Sequence, residues 1–231
     1  MPTVLRRTGE NPYIDPMRHW IQTCFRWKAP IRTLGVEHRF AILRHLLALS
    51  ERDRYLRFGY AASDAHIQRY VQNLRFERDE IFGVYNWRLQ LIAMAHLAYM
   101  LDESKQHSAE FGVSVSSHAR GRGYGAQLFD RAVRHARNQG VTHIVVHALT
   151  ENATMLGIAA KAGATLVRDG AESQASLQVP AADFRSHLTE LVEEQFARTQ
   201  YQLKAQGQWL RSWARGAQVL WHRFFRRRTW A

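Results

Sequence analysis

A short glycine-rich segment carries the residues with the clearest chemistry in this sequence. Three glycines alternate with other residues, two of them arginine, in the order Ala119-Arg120-Gly121-Arg122-Gly123-Tyr124-Gly125-Ala126. The segment lies between a predicted strand and a predicted helix, where backbone N–H groups and the helix dipole favour anions. Glycines let oxygen atoms approach the backbone closely, and arginines add charge-assisted hydrogen bonds. The segment therefore predicts a site for a phosphate-bearing ligand.

Three phosphate-binding patterns use such a bend, and their spacing separates them. A P-loop requires a lysine after its last glycine, and the segment contains none. The dinucleotide pattern Gly-x-Gly-x-x-Gly/Ala is met by Gly121, Gly123 and Ala126. That pattern also requires an acidic residue about 20 positions further on, where this sequence has none. The third pattern, Arg/Gln-x-x-Gly-x-Gly/Ala, is met by Arg120, Gly123 and Gly125.

The third pattern resembles the cofactor loop of the GNAT superfamily of acyl-CoA-dependent N-acetyltransferases. The resemblance extends in order and spacing from about Ile31 to Val179. Within the superfamily, the sequence is most similar to bacterial protein-lysine acetyltransferase domains. The similar segments are Arg54-Tyr55-Leu56-Arg57-Phe58, Ala109-Glu110-Phe111 and the loop itself. It implies acetyl-CoA as the donor and a primary amine, on a protein lysine or a small molecule, as the acceptor. The pyrophosphate would be held by Arg120, Gly121, Arg122, Gly123, Tyr124, Gly125 and Ala126.

The resemblance implies roles for four residues outside the loop. Val113 and Val115, on the strand before the loop, would align the pantetheine arm with their backbone groups. Glu110 would act as the general base that deprotonates the acceptor amine, and its alternative is a surface or structural glutamate. Asn152 would contact the pantetheine arm, while its residue type also suits a helix N-cap. The two roles of Asn152 are compatible.

One position departs from the resemblance. Many family members carry a tyrosine on the helix that follows Asn152, and that tyrosine protonates the leaving thiolate. This sequence has Ala159 in that slot. Because thiols ionise near pKa 8.5, the thiolate can leave without a dedicated acid. Tyr124, His147, Tyr99 or water are the alternative proton donors, although His147 is expected to be a satisfied core histidine.

The missing acid motivates a second hypothesis from another class. In that hypothesis the protein binds acyl-CoA with little or no catalysis and acts as a sensor or adaptor. Metal chemistry is not predicted in either case. The chain has one cysteine, and its histidines show no His-x-x-x-His helical pair with a carboxylate.

The elements that must position these residues follow from hydrophobic periodicity. Strands are predicted at Ile31–Leu34, Ile81–Tyr85, Leu91–Met100, Glu110–Ser116, His143–His147, Ala164–Val167 and Ser176–Val179. Helices are predicted at His38–Leu49, after the caps Ser50 and Ser63, at Gln127–Asn138 and at Glu151–Lys161. Antiparallel strands come first and a βαβ unit follows. The predicted class is α/β (α+β), with a mixed, mostly antiparallel central sheet and flanking helices.

Composition bounds the domain organisation. A chain of 231 residues that is 46% hydrophobic supports one sizeable folded domain with extensions. We predict an irregular arm over 1–30, the acetyltransferase domain over 31–180, and a basic, Trp-rich helical extension over 181–231. No segment reaches the roughly 18–20 apolar residues that span a bilayer. No apolar signal region follows Arg6-Arg7, so a cytoplasmic location is expected.

Residues 207–231 hold arginines without a carboxylate and four of the seven tryptophans. Their predicted helix has an aromatic face, which has two interpretations. It packs on the enzyme body or on a second subunit, giving a homodimer, or it contacts anionic lipid at the inner membrane face. The net charge of +12 attracts polyanions or reflects an arginine-rich composition without such a partner. Nucleic acid is not favoured, since no helix-turn-helix, RNP or zinc pattern occurs.

Overall fold

The computed structural model describes residues 29–100 and 108–180, together with Thr199. The predicted arm, 1–30, lies outside the described residues except for its last two. The predicted extension, 181–231, lies outside them except for Thr199. The predicted acetyltransferase domain is therefore described apart from 101–107.

The described residues form five α-helices and seven strands. The helices are α1 (Arg39–Leu47), α2 (Glu51–Phe58), α3 (Asp64–Gln72), α4 (Tyr124–Asn138) and α5 (Ala153–Lys161). The strands are β1 (Ile31–Thr33), β2 (Glu80–Tyr85), β3 (Leu91–Met100), β4 (Ser108–Val115), β5 (His143–Leu149), β6 (Thr165–Asp169) and β7 (Glu172–Gln178). Two 3-10 turns, Val36–His38 and Ser117–Ala119, precede α1 and the glycine loop.

The strands form one sheet in the order β1-β2-β3-β4-β5-β7-β6. Every neighbouring pair is antiparallel except β4 and β5, which are parallel. A parallel pair needs a crossover connection, and α4 supplies it. The predicted mixed, mostly antiparallel sheet with a βαβ unit is confirmed.

Helices cover both faces of the sheet and bury two apolar clusters. On one face, α4 packs on β4 with the Phe111 and Phe129 rings edge to face, their centroids 4.9 Å apart. On the other face, α1 and α3 enclose a second cluster that includes Ile67. Side chains alternate along a strand, so Glu110 and Gly112 lie on the opposite face of β4 from Phe111. Glu110, the predicted general base, therefore lies on the face covered by α1 and α3.

The parallel pair β4 and β5 diverges soon after it begins. The two strands pair only from Ser108 to Glu110 on β4 and from His143 to Val145 on β5. Beyond this point β4 stays paired with β3 as far as Val115. Strand β5 stays paired with β7 as far as Leu149. The facing edges of β4 and β5 are therefore released from each other, and a groove opens between them.

The predicted helix caps are confirmed, whereas some boundaries differ. Ser50 and Ser63 accept hydrogen bonds from N–H groups in the first turns of α2 and α3. Helix α4 begins at Tyr124 rather than Gln127, because Gly123 with φ +78° is its N-cap and the apolar periodicity starts only later. Strand β7 begins at Glu172, four residues before its predicted start, in a polar stretch that hydrophobic patterning does not detect.

Candidate active site

The glycine loop has the geometry of an anion site. Gly121 and Gly123 adopt φ +74° and +78°, a left-handed conformation that glycine tolerates and other residues rarely adopt. The first intrahelical hydrogen bond of α4 runs from the Gln127 N–H to the Gly123 carbonyl at 3.0 Å. The N–H groups of residues 124–126 therefore have no carbonyl partner within the helix. A Cβ built on Gly121 meets no atom within 4 Å, so the bend is open to a ligand.

A cavity of about 530 Å³ opens beside this bend, and we call it the glycine-loop cavity. It brings together all the predicted cofactor-binding residues except Arg122. They are Val113, Val115, Arg120, Gly121, Gly123, Tyr124, Gly125, Ala126 and Asn152. Their convergence fits an extended phosphate-bearing cofactor, because the loop lies at one end and the β4 edge follows. Their contact with acetyl-CoA stays a prediction.

Arg120 has a partner that the sequence did not reveal. Its guanidinium forms an ion pair with Asp53 of α2, a buried residue that also lines the glycine-loop cavity. Burial alone would raise the pKa of Asp53. Hydrogen bonds from Arg120 and Ser50 outweigh burial and leave this pKa below its ordinary value. Arg120 therefore stands beside an ionised carboxylate rather than alone in the cavity.

Asn152 joins α5 to α2. Its side-chain oxygen accepts a hydrogen bond from the Met155 N–H at 3.2 Å, which confirms its role as N-cap of α5. Its amide nitrogen donates to the Leu56 carbonyl of α2 at 3.4 Å. An exposed ion pair between Arg52 and Glu151, 2.8 Å long, bridges the same two segments. These two contacts hold helix α2 across the groove between β4 and β5.

A second cavity, of about 320 Å³, contains Glu110, and we call it the Glu110 cavity. Glu110 is exposed, and Glu172 and His147 line the same space. Five residues line both cavities, namely Leu56, Arg57, Val113, Asn152 and Met155. The two cavities therefore meet at the groove where β4 leaves β5. Residues 56–59, at the C-terminal end of α2, also line this cavity.

A chain of polar side chains lies beside Glu110. The Arg57 guanidinium donates to the Tyr70 hydroxyl at 3.0 Å, and this hydroxyl lies 2.8 Å from His96 Nδ1. His96 Nε2 lies 3.2 Å from Asp79 Oδ2, while Arg78 donates to the other oxygen of Asp79 at 2.9 Å. Sequence reasoning missed this chain, since four separate segments supply its members.

Burial has opposite effects on the two titratable groups in the middle of this chain. It raises the pKa of the Tyr70 hydroxyl, with Arg57 opposing the shift. It lowers the pKa of His96, helped by Arg57 and opposed by Asp79. Near neutral pH Tyr70 therefore keeps its proton, and His96 is uncharged.

Gly112 of β4 makes room for Arg57. A Cβ built on Gly112 would lie 2.6 Å from the guanidinium carbon and both terminal nitrogens of Arg57. The guanidinium also lies over the rings of Phe58 and Tyr70, at 5.2 and 5.7 Å from their centroids. The glycine after Phe111 therefore lets a cation lie against the strand at the junction of the two cavities.

Burial corrects one expectation about the proton donors, and the structure locates the other candidates. His147 was expected in the core, but it is exposed and lines the Glu110 cavity. His147 is exposed because it lies on the face of β5 opposite the buried Val146. It also lies beyond Val145, where the pairing of β5 with β4 ends. Ala159 is completely buried in the apolar cluster under α5. Tyr124 lines the glycine-loop cavity, and Tyr99 packs against the core cluster.

A buried histidine of α1, His45, forms a hydrogen bond with β4. His45 of α1 donates from Nδ1 to the Leu91 carbonyl at 3.2 Å, because a carbonyl can only accept. Its Nε2, 2.9 Å from the Ser114 hydroxyl, must then accept from it. Burial lowers the pKa of His45 to about 4, so the ring is neutral near pH 7. Since Ser114 lines the glycine-loop cavity, this pair fixes one wall of that cavity.

Two searches of the described part of the chain were negative. Within residues 29–100 and 108–180, no three side chains of His, Cys, Asp or Glu form a group suited to a metal ion. None of the helices that the structure describes is both long and apolar enough to span a membrane.

Comparison with solved structures supports the fold. The GNAT domain of S. lividans PAT matches with a TM-score of 0.55 and 18% identity, over 64% of this chain and 89% of that domain. A putative acetyltransferase from Acinetobacter baylyi matches with a TM-score of 0.54 and 16% identity, over 66% and 94%. The ribosomal-protein-S5-alanine acetyltransferase from Vibrio fischeri matches with a TM-score of 0.53 and 13% identity, over 64% and 92%.

The sequence itself identifies the family. The model of the acetyltransferase (GNAT) family matches residues 15–164, which is more than half of the chain. No curated protein sequence matches significantly. This chain belongs to the GNAT acetyltransferase family, as the resemblance at the glycine loop predicted. Membership supports the transfer of an acyl group from acyl-CoA, the general activity of this family.

Proposed function

We propose that this protein transfers an acetyl group from acetyl-CoA to a primary amine. One observation carries the proposal. The divergence of β4 from β5 after Glu110 joins the glycine-loop cavity to the Glu110 cavity, which contains two carboxylates. A donor bound from the first cavity can thus present its reactive end to an amine in the second. The acceptor amine belongs to a protein lysine or to a small molecule.

The donor would be held mainly by backbone. The N–H groups of residues 121–126 bind the pyrophosphate, and Arg120 and Arg122 add charge. The released edge of β4 offers hydrogen-bonding groups at Val113 and Val115 to the pantetheine amides, as an unpaired strand edge can. Asn152 borders the same path. Acetyl-CoA supplies an activated thioester carbonyl at the junction of the two cavities.

Glu110 would serve as the general base. A lysine-like amine has a pKa near 10.4 and arrives as an ammonium ion, which cannot attack a carbonyl. Glu110 and Glu172 place two carboxylates in the cavity that would receive it. Glu110 stands where β4 leaves β5, so we assign the proton transfer to this residue, directly or through water. A strand backbone N–H would stabilise the oxyanion.

The test measures release of free thiol from acetyl-CoA with a panel of primary amines. Glu110→Gln should lower kcat about 100-fold, because positioned general bases contribute about that much. The affinity for coenzyme A should stay within about twofold, since Glu110 does not line the glycine-loop cavity. Glu172→Gln is the matched control, because it removes a carboxylate from the same cavity. Equal losses in the two variants would remove Glu110 from the role of base.

A second candidate is an acyl-CoA-binding sensor or adaptor without catalysis. The burial of Ala159 favours it, because the usual acid slot carries no acid and lines neither the glycine-loop cavity nor the Glu110 cavity. The same panel separates the two candidates. A protein that binds coenzyme A but releases no thiol with any amine would be the sensor.

Two partner predictions concern residues outside the structure. Contact of 207–231 with anionic membrane stays a prediction, and so does a homodimer. Flotation of the full chain with anionic and with neutral vesicles tests the first. Sedimentation equilibrium tests the second.

A further inference from the structure

Acetyl transfer to a protonated amine removes two protons from the acceptor nitrogen, and the proposed base Glu110 accepts one of them. An ammonium group first loses a proton to become nucleophilic. Its nitrogen loses another as the amide bond forms. This inference rests on the proposed function, because it concerns the second proton. Glu110, exposed in its cavity, holds the first until solvent takes it, so the second requires another acceptor within reach of the amine.

With a neutral His96 ring, the chain through Tyr70 has one direction of hydrogen bonding. Arg57 has donors but no acceptor, so its bond to Tyr70 must use a lone pair of the hydroxyl oxygen. The Asp79 carboxylate has no donor either, so His96 Nε2 carries the ring proton and donates to Asp79. Because burial keeps the ring neutral, His96 Nδ1 carries a lone pair and accepts a hydrogen bond from the Tyr70 hydroxyl. The chain is a neutral Tyr–His pair that ends on a carboxylate.

The Tyr70 oxygen keeps one free acceptor position. A hydroxyl oxygen has two lone pairs and one proton. Arg57 uses one lone pair, and the proton is directed at His96. Tyr70 lines the Glu110 cavity together with Glu110 itself. The remaining lone pair would accept from an amine N–H of an acceptor bound in this cavity.

We propose that Tyr70 is a catalytic residue that takes the second proton from the acceptor and relays it to His96. The acceptor nitrogen bonds to the acyl carbon, and the carbon–sulfur bond breaks, its electron pair leaving on the sulfur. The N–H proton moves to Tyr70 Oη while the Tyr70 hydroxyl proton moves to His96 Nδ1. His96 becomes an imidazolium ion beside the Asp79 carboxylate. Solvent later takes this proton and protonates the thiolate.

Three features of the structure suit this relay. Arg57 donates to the same oxygen and so stabilises negative charge that develops on it. Asp79 is buried, and its carboxylate partners the ring that becomes cationic. Gly112 allows Arg57 to lie against β4, so the guanidinium stands between the relay and the junction of the cavities. Arg57, His96 and Asp79 act through Tyr70 and are positioning residues.

The relay predicts a pH dependence. His96 is faced by Arg57 from α2, Tyr70 from α3, and Asp79 and Arg78 from the segment before β2. Glu110 from β4 acts on Tyr70 rather than on His96. Only a neutral His96 can take the proton. Turnover should therefore fall as the pH drops through the pKa of His96, which burial and Arg57 lower below its ordinary value of 6.5.

The decisive variant is Tyr70→Phe, which keeps the ring contacts with Phe58 and His96 and removes only the hydroxyl. We expect kcat to fall about 100-fold, with the KM for acetyl-CoA within twofold. The acidic limb that belongs to His96 should disappear, whereas Glu110→Gln should retain it. Tyr60→Phe, which changes an exposed tyrosine outside both cavities, is the control. A kcat for Tyr70→Phe within threefold of this control would overturn the relay.

A second measurement needs no turnover. Nitrogen-15 NMR of the histidine rings in the free protein at pH 7.5 should show His96 neutral, with its proton on Nε2. A proton on Nδ1, or a charged ring, would refute the relay. Because this readout is independent of any acceptor, it separates failure of the relay from failure of the proposed function. Wild-type protein that releases no thiol with any amine would instead reject the acetyltransferase.

Discussion

The glycine-loop cavity and the Glu110 cavity share α2 and β4, yet different kinds of chemical group are proposed to bind the ligand in each. In the first, the N–H groups of a bend and the released edge of a strand are the groups proposed to hold the ligand. In the second, side chains of Arg57, Tyr70, Glu110, His147 and Glu172 converge from separate elements. Backbone groups are the same in every sequence, whereas side chains differ. The first cavity is therefore suited to a cofactor common to a family, and the second to one protein's acceptor.

The largest expected effect is a loss of affinity for coenzyme A when a side chain is added to the glycine loop. Gly123→Val should weaken binding of coenzyme A by about 4 kcal/mol, or roughly a thousandfold. It would disturb two or three hydrogen bonds to charged phosphate, each contributing about 1.5–3 kcal/mol. Isothermal titration calorimetry measures the affinity.

The matched control is Gly140→Val. Gly140 has φ +74°, close to that of Gly123, and has nothing within 4 Å of an added Cβ, but it lines neither cavity. Both variants introduce similar backbone strain of about 1–2 kcal/mol. Equal affinities for coenzyme A in the two variants would show that the bend is structural and not a binding site.

The stability that the buried His45 gives to the wall of the glycine-loop cavity should depend on pH. The pKa of His45 is lowered from 6.5 to about 4, so the unfolded chain takes up a proton in this range before the folded protein does. The stabilisation is complete above pH 6.5 and is lost as the pH falls towards 4. It amounts to about 3 kcal/mol. Between pH 6.5 and 4, the free energy of unfolding in urea should fall by about this amount more for the wild type than for His45→Phe. Parallel pH dependences of the two proteins would contradict the assignment.

The smallest effect concerns the ion pair inside the first cavity. Asp53→Asn removes a negative charge next to the proposed phosphate site and frees Arg120. The affinity for coenzyme A should rise severalfold at low salt and become more dependent on salt. Asp64→Asn is the control, because Asp64 pairs with Arg54 away from both cavities. A comparable loss of affinity would show that Asp53 instead holds Arg120 in its binding position.

What the sequence predicted correctly was mostly local. The caps Ser50, Ser63 and Asn152 are confirmed because each makes its hydrogen bond within the next turn. The glycine loop is likewise contained in one strand-to-helix bend. Its contact with the cofactor is tested by the variants above, but its backbone geometry agrees with the spacing of Gly121 and Gly123.

What the sequence did not reveal depends on residues far apart in the chain. The Tyr70–His96 contact joins α3 to β3, and His96 reaches Asp79 because the pairing of β2 with β3 places His96 opposite Ile81. Hydrophobic periodicity reports which face is buried, but it does not report which polar groups meet there. His147 was misassigned for a related reason. A β-branched strand predicts burial, but the divergence of β4 exposes one of its faces.

The central claim is that bare backbone N–H groups of the glycine loop bind the phosphates of coenzyme A. Proton–nitrogen NMR spectra recorded while coenzyme A is added test it directly, because glycine amides form a distinct group of signals. The signals of Gly121, Gly123 and Gly125 should move together with those of Val113 and Val115, while Gly140 and Gly163 stay unchanged. Saturable binding that leaves the three loop glycines unmoved would contradict the claim.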